Sequence, residues 1–192
     1  MDEIRKWASS PVWDNERSKG RYLYPLKIDW RTATQEGLRL TARHPSGTVF
    51  RIGPYLCGNS PDSHVGPFRH CIDFHVPDGT PVRAAKEGKV IELIGHHERW
   101  GETEEFRDYL NFISIWHDNG EFTQYCHLQK ASAAASGIEL GGRVKRGQII
   151  ARTGKTGWTD CDHLHFGVFR AASNASPFKF KSLRPRWSLL PF

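Results

Sequence analysis

The sequence predicts an all-β protein, a mainly antiparallel sheet or sandwich with little helix. Three observations carry this. From residue 61 onward, short runs rich in β-branched and aromatic residues recur: "HCIDFHV", "TPVRAA", "GKVIELIG", "NFISIWH", "EFTQYCHL", "RVKRGQIIART" and "HLHFGVF". Turn signals separate them, namely "PDGT", "HDNG", "LGG" and "GKTG". Several runs alternate apolar with polar residues, which is the period of a half-buried strand. Evenly spaced strands joined by Gly-rich turns point to a sandwich or partly open barrel.

In chain order, residues 1–60 mix charge, Trp and Pro with strand-like runs such as "LRLTARHP" and "TVFRIG". They read as an N-terminal β extension packed on a core domain of residues 61–170. Inside that domain, "HHERWGETEEFRDY" (96–109) reads as a solvated hairpin tip or surface loop whose acidic run is a wet face. "KASAAASGI" (130–138) is the one stretch fit for a short helix or flexible loop. Residues 171–192, rich in Pro, Lys and aromatics, read as a tail wrapping the surface.

A chain of 192 residues with 38% apolar and 12% aromatic residues can bury a proper core, which excludes a disordered class. Net charge is +6 and the pI about 9.3, favouring an anionic partner: nucleic acid, an acidic membrane face or a cell-wall polymer. The basic residues are dispersed apart from "RVKRG" and "FKFKSLRPRW", and no nucleic-acid-binding signature is present, so no nucleic-acid partner is expected. Cys57, Cys71, Cys126 and Cys161 are spaced too widely for a CxxC motif; two disulfides are permitted but not required. The first 25 residues are charged throughout, so neither a signal peptide nor a membrane span is expected in the chain. Export to a wall would need another route or a leader outside this sequence.

The chemistry concentrates in a few polar residues. In "TDCDHLHFGVF" (159–169), His163 and His165 occupy alternate strand positions and share a face, while Leu164 and Phe166 face a core. Two converging imidazoles suit a metal, a proton-transfer site or both. Asp73 lies between Ile72 and Phe74, where a carboxylate is costly unless it is paired or bound to a cation. His127 has similar surroundings, with Cys126 before it and Leu128 after. Asp73, His127, His163 and His165 can thus line one wet face. Two histidines and a carboxylate from separate strands make a standard zinc set with a fourth position for water.

These motifs resemble the lysostaphin-type metallopeptidases, the M23 peptidoglycan endopeptidases. The resemblance rests on "SHVGPFRHCIDFHVPDGTPVRAAKEGKVIEL", "ISIWHDNGEFTQYCHL" and "GGRVKRGQIIARTGKTGWTDCDHLHFGVF", in that order, over residues 60–170. It implies an antiparallel β fold with a narrow active-site groove, one zinc ion, and hydrolysis of cell-wall stem peptides or cross-bridges in the periplasm or wall. It also implies Asp73 and His165 as metal ligands and His127 and His163 as catalytic residues. Zinc with three protein ligands keeps a water position, and an HExxH helical mechanism is excluded because no such motif occurs.

The upstream ligand departs from the family's H-x-x-x-D pattern, because Arg69 stands four residues before Asp73. His64 and His70 are the candidates, with His75 a remote third. His64 is preferred, since "SH" followed by glycine is a variant of the motif and Gly66-Pro67 offers a turn that redirects the chain. Asn59 reads as a turn residue, with a blocking ligand of a latent form as the alternative. His117 reads as structural or groove-lining, and His44, His96 and His97 as exposed. Cys71 and Cys161 read as replacements for small side chains near the site, where oxidation would disturb it. Three competing classes have less support: a non-catalytic or latent relative that binds peptide or a protein, a two-histidine-one-carboxylate iron oxygenase, and a lipoyl-type carrier. The oxygenase usually places an HxD/E pair, which is not present around Asp73, and the carrier needs a modifiable lysine at a hairpin tip, which does not stand at the equivalent turn.

Overall fold

Fourteen short strands organise the computed structural model, which describes residues 16–26, 48–52, 55–60, 63–172 and 179–188. They are β1 (Arg17–Tyr22), β2 (Thr48–Ile52), β3 (Tyr55–Asn59), β4 (Ile72–Phe74), β5 (Pro81–Arg83), β6 (Gly88–Ile94) and β7 (Trp100–Gly101). The chain continues with β8 (Phe112–Trp116), β9 (Glu121–Cys126), β10 (Arg143–Val144), β11 (Ile149–Arg152), β12 (Gly157–Trp158), β13 (Leu164–Ala171) and β14 (Phe180–Trp187). One helical turn, α1 (Ser132–Ala135), falls in the stretch expected to hold a helix. His44 and the whole run "LRLTARHP" lie outside the described residues. No described helix is long and apolar enough to cross a membrane.

Ten strands form one mainly antiparallel sheet in the order β10-β6-β8-β9-β13-β4-β3-β2, which forks at β13. Along one edge β13 pairs with β9; along the other, Leu164–Phe166 pairs with β4 and Val168–Ala171 with β14. β1 then adds to β14 as a parallel partner. Alternation assigns the two faces. Ile72, Phe74, Ile113, Ile115, Tyr125, Leu164, Phe166 and Val168 turn to one side and form the core with Val82, Ile150 and Ala151 of the small β5–β11 sheet. Each such side chain contributes roughly 1.5–3 kcal/mol when fully buried.

The opposite face carries the polar residues and a knot of phenylalanines. Phe122 stacks on Phe169 with ring centroids 5.2 Å apart, and Phe68 and Phe180 meet Phe169 edge-on. The C-terminal segment is therefore more than a wrapping tail, because β14 is a strand of the main sheet.

The 96–109 stretch also differs from a bare hairpin tip. Trp100–Gly101 pairs in parallel with Gly157–Trp158, and Glu104–Tyr109 forms a 3₁₀ turn beside them. Trp158 Nε1 donates to the Glu102 carbonyl, and Arg99 stacks over the Tyr109 ring. Aromatic side chains on this loop need cover, so it docks on β12. Its acidic run, Glu102, Glu104 and Glu105, stays exposed as expected.

The N-terminal strand is held by a buried carboxylate. Glu121 is 1% exposed and accepts from the Lys19 and Gly20 backbone N–H groups, the Tyr22 hydroxyl and the Asn119 amide. Burial and the neighbouring Glu121 push the Tyr22 hydroxyl's pKa well up. Glu121→Ala would strand several buried donors, and is expected to cost about 2–3 kcal/mol in urea unfolding with loss of amide protection in β1. Wild-type stability and protection in that variant would contradict the staple.

Candidate metal centre

Strand register builds the centre. Across β4, β13 and β9, Asp73 pairs with His165 and His165 with Cys126. Directly opposed residues on neighbouring strands project from the same face, with Cβ atoms about 5 Å apart. Asp73 and His165 are therefore brought together by backbone pairing, while Ile72, Phe74, Leu164 and Phe166 anchor the reverse face in the core. On β3, Gly58 pairs with Asp73, and a Cβ there would lie 2.5 Å from Nε2 of His75, so only glycine leaves room for that ring.

The third member arrives on a loop. His64 precedes the 3₁₀ turn Gly66–Phe68, where Phe68 packs on Phe169 and Phe180. Beyond it, the His70 backbone N–H donates to Ser182 Oγ of β14. Folded back in this way, the loop puts His64 Nε2 3.1 Å from Asp73 Oδ1 and 3.2 Å from His165 Nδ1, with His165 Nδ1 3.0 Å from Asp73 Oδ1. Tetrahedral zinc ligands at about 2.0–2.1 Å from the ion are about 3.3–3.4 Å apart, so this triangle is within a few tenths of an ångström of a zinc set. Its donors, two imidazole nitrogens and a carboxylate oxygen, are also the types zinc takes. Among the described residues no other trio of His, Cys, Asp or Glu converges in this way.

His127 and His163 stand beside the triangle. Their rings are 4.6 Å apart, and His163 Nε2 lies 3.6 Å from Asp73 Oδ1. Each Nδ1 meets a backbone carbonyl: His127 donates to Thr156 O at 2.7 Å and His163 to Cys161 O at 3.0 Å. A carbonyl only accepts, so the proton of each neutral ring sits on Nδ1 and Nε2 keeps its lone pair. Burial lowers the pKa of His127 to about 4 and that of His163 to about 3. For Asp73 burial acts upward, but His64, His163 and His165 together outweigh it and hold the carboxyl well below the usual range.

His127 was expected on a strand face; it lies one residue past β9 with φ 59°, in the left-handed region. A buried hub holds it there. Gly154 N–H donates to the His127 carbonyl, and Leu128 N–H to that of Asn111. The Asn111 amide nitrogen donates to the Leu128 and His97 carbonyls, and the Thr156 hydroxyl also donates to Leu128 O. Asn111 and Thr156 thus position His127 without touching the triangle. Their sequence context, a lone polar residue among apolar ones for Asn111 and a Gly-rich turn for Thr156, gives no sign of this.

The remaining candidates fall elsewhere. His70 is outside the triangle, and the His75 ring centroid lies 6.3 Å from that of His163. His117 is buried, bonded to the Glu87 carbonyl and Thr123 Oγ1, which makes it structural. His96 is exposed and His97 half-buried. All four cysteines are buried free thiols. Cys161 Sγ lies 3.6 Å from His163 Nδ1, whereas a Cβ on Gly167 would crowd Cys71 Sγ. Burial raises the pKa of both thiols.

An antiparallel sheet that brings two histidines and one carboxylate together beside two further buried imidazoles offers the donor set of a mononuclear metal site. The chain belongs to peptidase family M23, whose profile matches residues 67–177. His64 lies just before the matched residues, in keeping with its unusual spacing. Among similar proteins are the glycyl-glycine endopeptidase ALE-1 of Staphylococcus capitis, 36% identical over 61% of this chain and 27% of that protein, and the peptidoglycan DD-endopeptidase ShyA of Vibrio cholerae, 34% identical over 74% of this chain and 26% of that protein. The chain thus spans about a quarter of the length of these curated relatives. A zinc-containing peptidase from Vibrio cholerae shares the fold at a TM-score of 0.50 and 24% identity, over 90% of this chain and 41% of that one.

The two buried neutral rings set a pH dependence. Their folded pKa values lie below the ~6.5 of an unfolded histidine, so between these values the unfolded chain binds more protons. Their contribution is complete above that unfolded value and is lost as pH falls toward 4. With metal chelated, lowering the pH from 7 to 5 is expected to cost on the order of 2 kcal/mol per ring in urea unfolding, with His163→Gln flattening the dependence. An unchanged urea midpoint would mean that the rings are not buried in neutral form.

Proposed function

We propose that the chain is a zinc-dependent endopeptidase that hydrolyses peptide bonds of bacterial peptidoglycan, in stem peptides or cross-bridges at the cell wall or periplasm. In this reading His64, Asp73 and His165 hold the metal, and His127 and His163 handle protons. The observation that carries it is the triangle of donor atoms, 3.0–3.2 Å on a side, beside two imidazoles whose Nδ1 atoms are committed to carbonyls. The activities of the relatives, glycyl-glycine endopeptidase and peptidoglycan DD-endopeptidase, suggest the substrate class.

Zinc bound by this set would lower the pKa of a coordinated water to about 7 and polarise the scissile carbonyl. The chain's own part is proton transfer and orientation. His127 and His163 start neutral, with Nε2 free to accept, so they orient the attacking water and take its proton. Once protonated, either Nε2–H can support the oxyanion or pass the proton to the leaving amine. The carbonyls of Thr156 and Cys161 hold the tautomer throughout and are well placed to accept from an imidazolium.

The test combines elemental analysis with digestion of purified peptidoglycan. Near-stoichiometric zinc and muropeptide release are expected of the native chain. His163→Ala is expected to keep zinc but lose at least about 10²-fold in rate. His64→Ala and His165→Ala are expected to lose the metal, and His70→Ala to keep both metal and activity. Zinc retained without cleavage in the native chain would contradict the enzymatic reading. Metal lost with His70 but kept with His64 would overturn the ligand assignment.

A further inference from the structure

The His64 ring is enclosed on both sides. Its side chain is fully buried; Nε2 faces Asp73 and His165, while Nδ1 faces the Asn59 amide, whose nitrogen lies 3.0 Å away. Asn59 is half-buried and ends β3, one residue beyond Gly58, the partner of Asp73 in the ladder. The same amide nitrogen reaches the Cys71 carbonyl at 3.4 Å. Asn59 is therefore tied to the two segments that bring His64 and Asp73 together, but from the outer side of His64, away from the donor triangle. This position removes it from the role of a blocking ligand.

A neutral imidazole has one ring proton. If Nε2 is to give its lone pair to a metal, the proton must sit on Nδ1, and a buried Nδ1–H needs an acceptor. His127 and His163 have backbone carbonyls there, which can do nothing but accept. The partner of His64 is different, because a side-chain amide offers an acceptor at one end and a donor at the other. With its nitrogen toward Nδ1, the amide favours the ring proton on Nε2, where it points at Asp73. A half turn of the amide brings Oδ1 to Nδ1 instead and gives up the long bond that the amide nitrogen donates to the Cys71 carbonyl. The backbone does not have to move for this exchange.

We propose that Asn59 is the outer partner of His64, its Oδ1 accepting the Nδ1 proton and so fixing the ring in the tautomer whose Nε2 can bind a divalent metal. The proposal rests on His64 being a metal ligand. Asn59 acts through His64 and is a positioning residue.

The test measures zinc affinity by competition with a chromophoric chelator, on the full chain, for wild type, Asn59→Leu, Asn59→Asp and His64→Ala. Thermal melting in excess chelator reports folding of each variant. Asn59→Leu keeps the approximate shape but offers no acceptor, and is expected to weaken zinc binding by about 10–100-fold with little change in the metal-free melt. Asn59→Asp presents an acceptor in either orientation, and is expected to bind zinc at least as tightly as wild type. The pattern of loss with leucine and rescue with aspartate distinguishes a hydrogen-bonding role from a merely structural one. Affinity unchanged in Asn59→Leu, or equally weakened in both Asn59 variants, would overturn the proposal. Undiminished affinity in His64→Ala would instead show that the ligand assignment beneath it is wrong.

Discussion

The pairing of Asp73 on β4 with His165 on β13 is the constraint on which the rest of the site depends. Side chains alternate along a strand, so a slip of one residue between these strands would send the carboxylate and the imidazole into the apolar layer. The core prevents that slip, because Ile72, Phe74, Leu164 and Phe166 fill the reverse face. The stability of the sheet and the placement of the donor atoms are therefore one property. A carboxylate as buried as Asp73 would be costly alone, and the three histidines around it offset that cost.

Around that pair, the other groups arrive on loops and need separate supports. The loop bearing His64 is fastened by Phe68 on the phenylalanine knot and by Ser182 on β14. His127 and His163 are aimed by the carbonyls of Thr156 and Cys161, and the chain carrying His127 is fixed by Asn111. These outer contacts draw on segments distant in sequence, including the C-terminal strand and the base of the 96–109 loop, where the His97 backbone N–H donates to Asn111 Oδ1. A local change in either segment can thus reach the site without touching a donor atom.

How legible this was in the sequence depended on whether a residue's position followed from periodicity. Asp73 and His165 sit in alternating runs, so their common face could be read directly. His127 could be singled out but not placed, because it leaves the strand in a left-handed conformation that a period-two reading cannot register. A motif variant and a turn favour His64 over His70 in the sequence; the reach of His64 to Asp73 depends on packing of Phe68 with Phe169 and Phe180, which are distant in sequence. In the sequence β14 reads as a tail, because its Pro and Lys content masks a strand that pairs at the fork of the sheet. Asn59 and Thr156 read only as turn residues and Asn111 as an ordinary strand residue, since a polar residue acquires a supporting role only from the tertiary partner it meets.

The most direct test of the central claim is X-ray absorption at the zinc edge of the metal-loaded full chain. Two imidazole nitrogens and a carboxylate oxygen from the protein at about 2.0–2.1 Å, completed by water oxygen, are the expected shell. A third imidazole would bring His127 or His163 into the ligand set, and a sulfur at about 2.3 Å would bring in a cysteine. Either shell would contradict a centre built from His64, Asp73 and His165 with two neutral histidines kept apart for proton transfer.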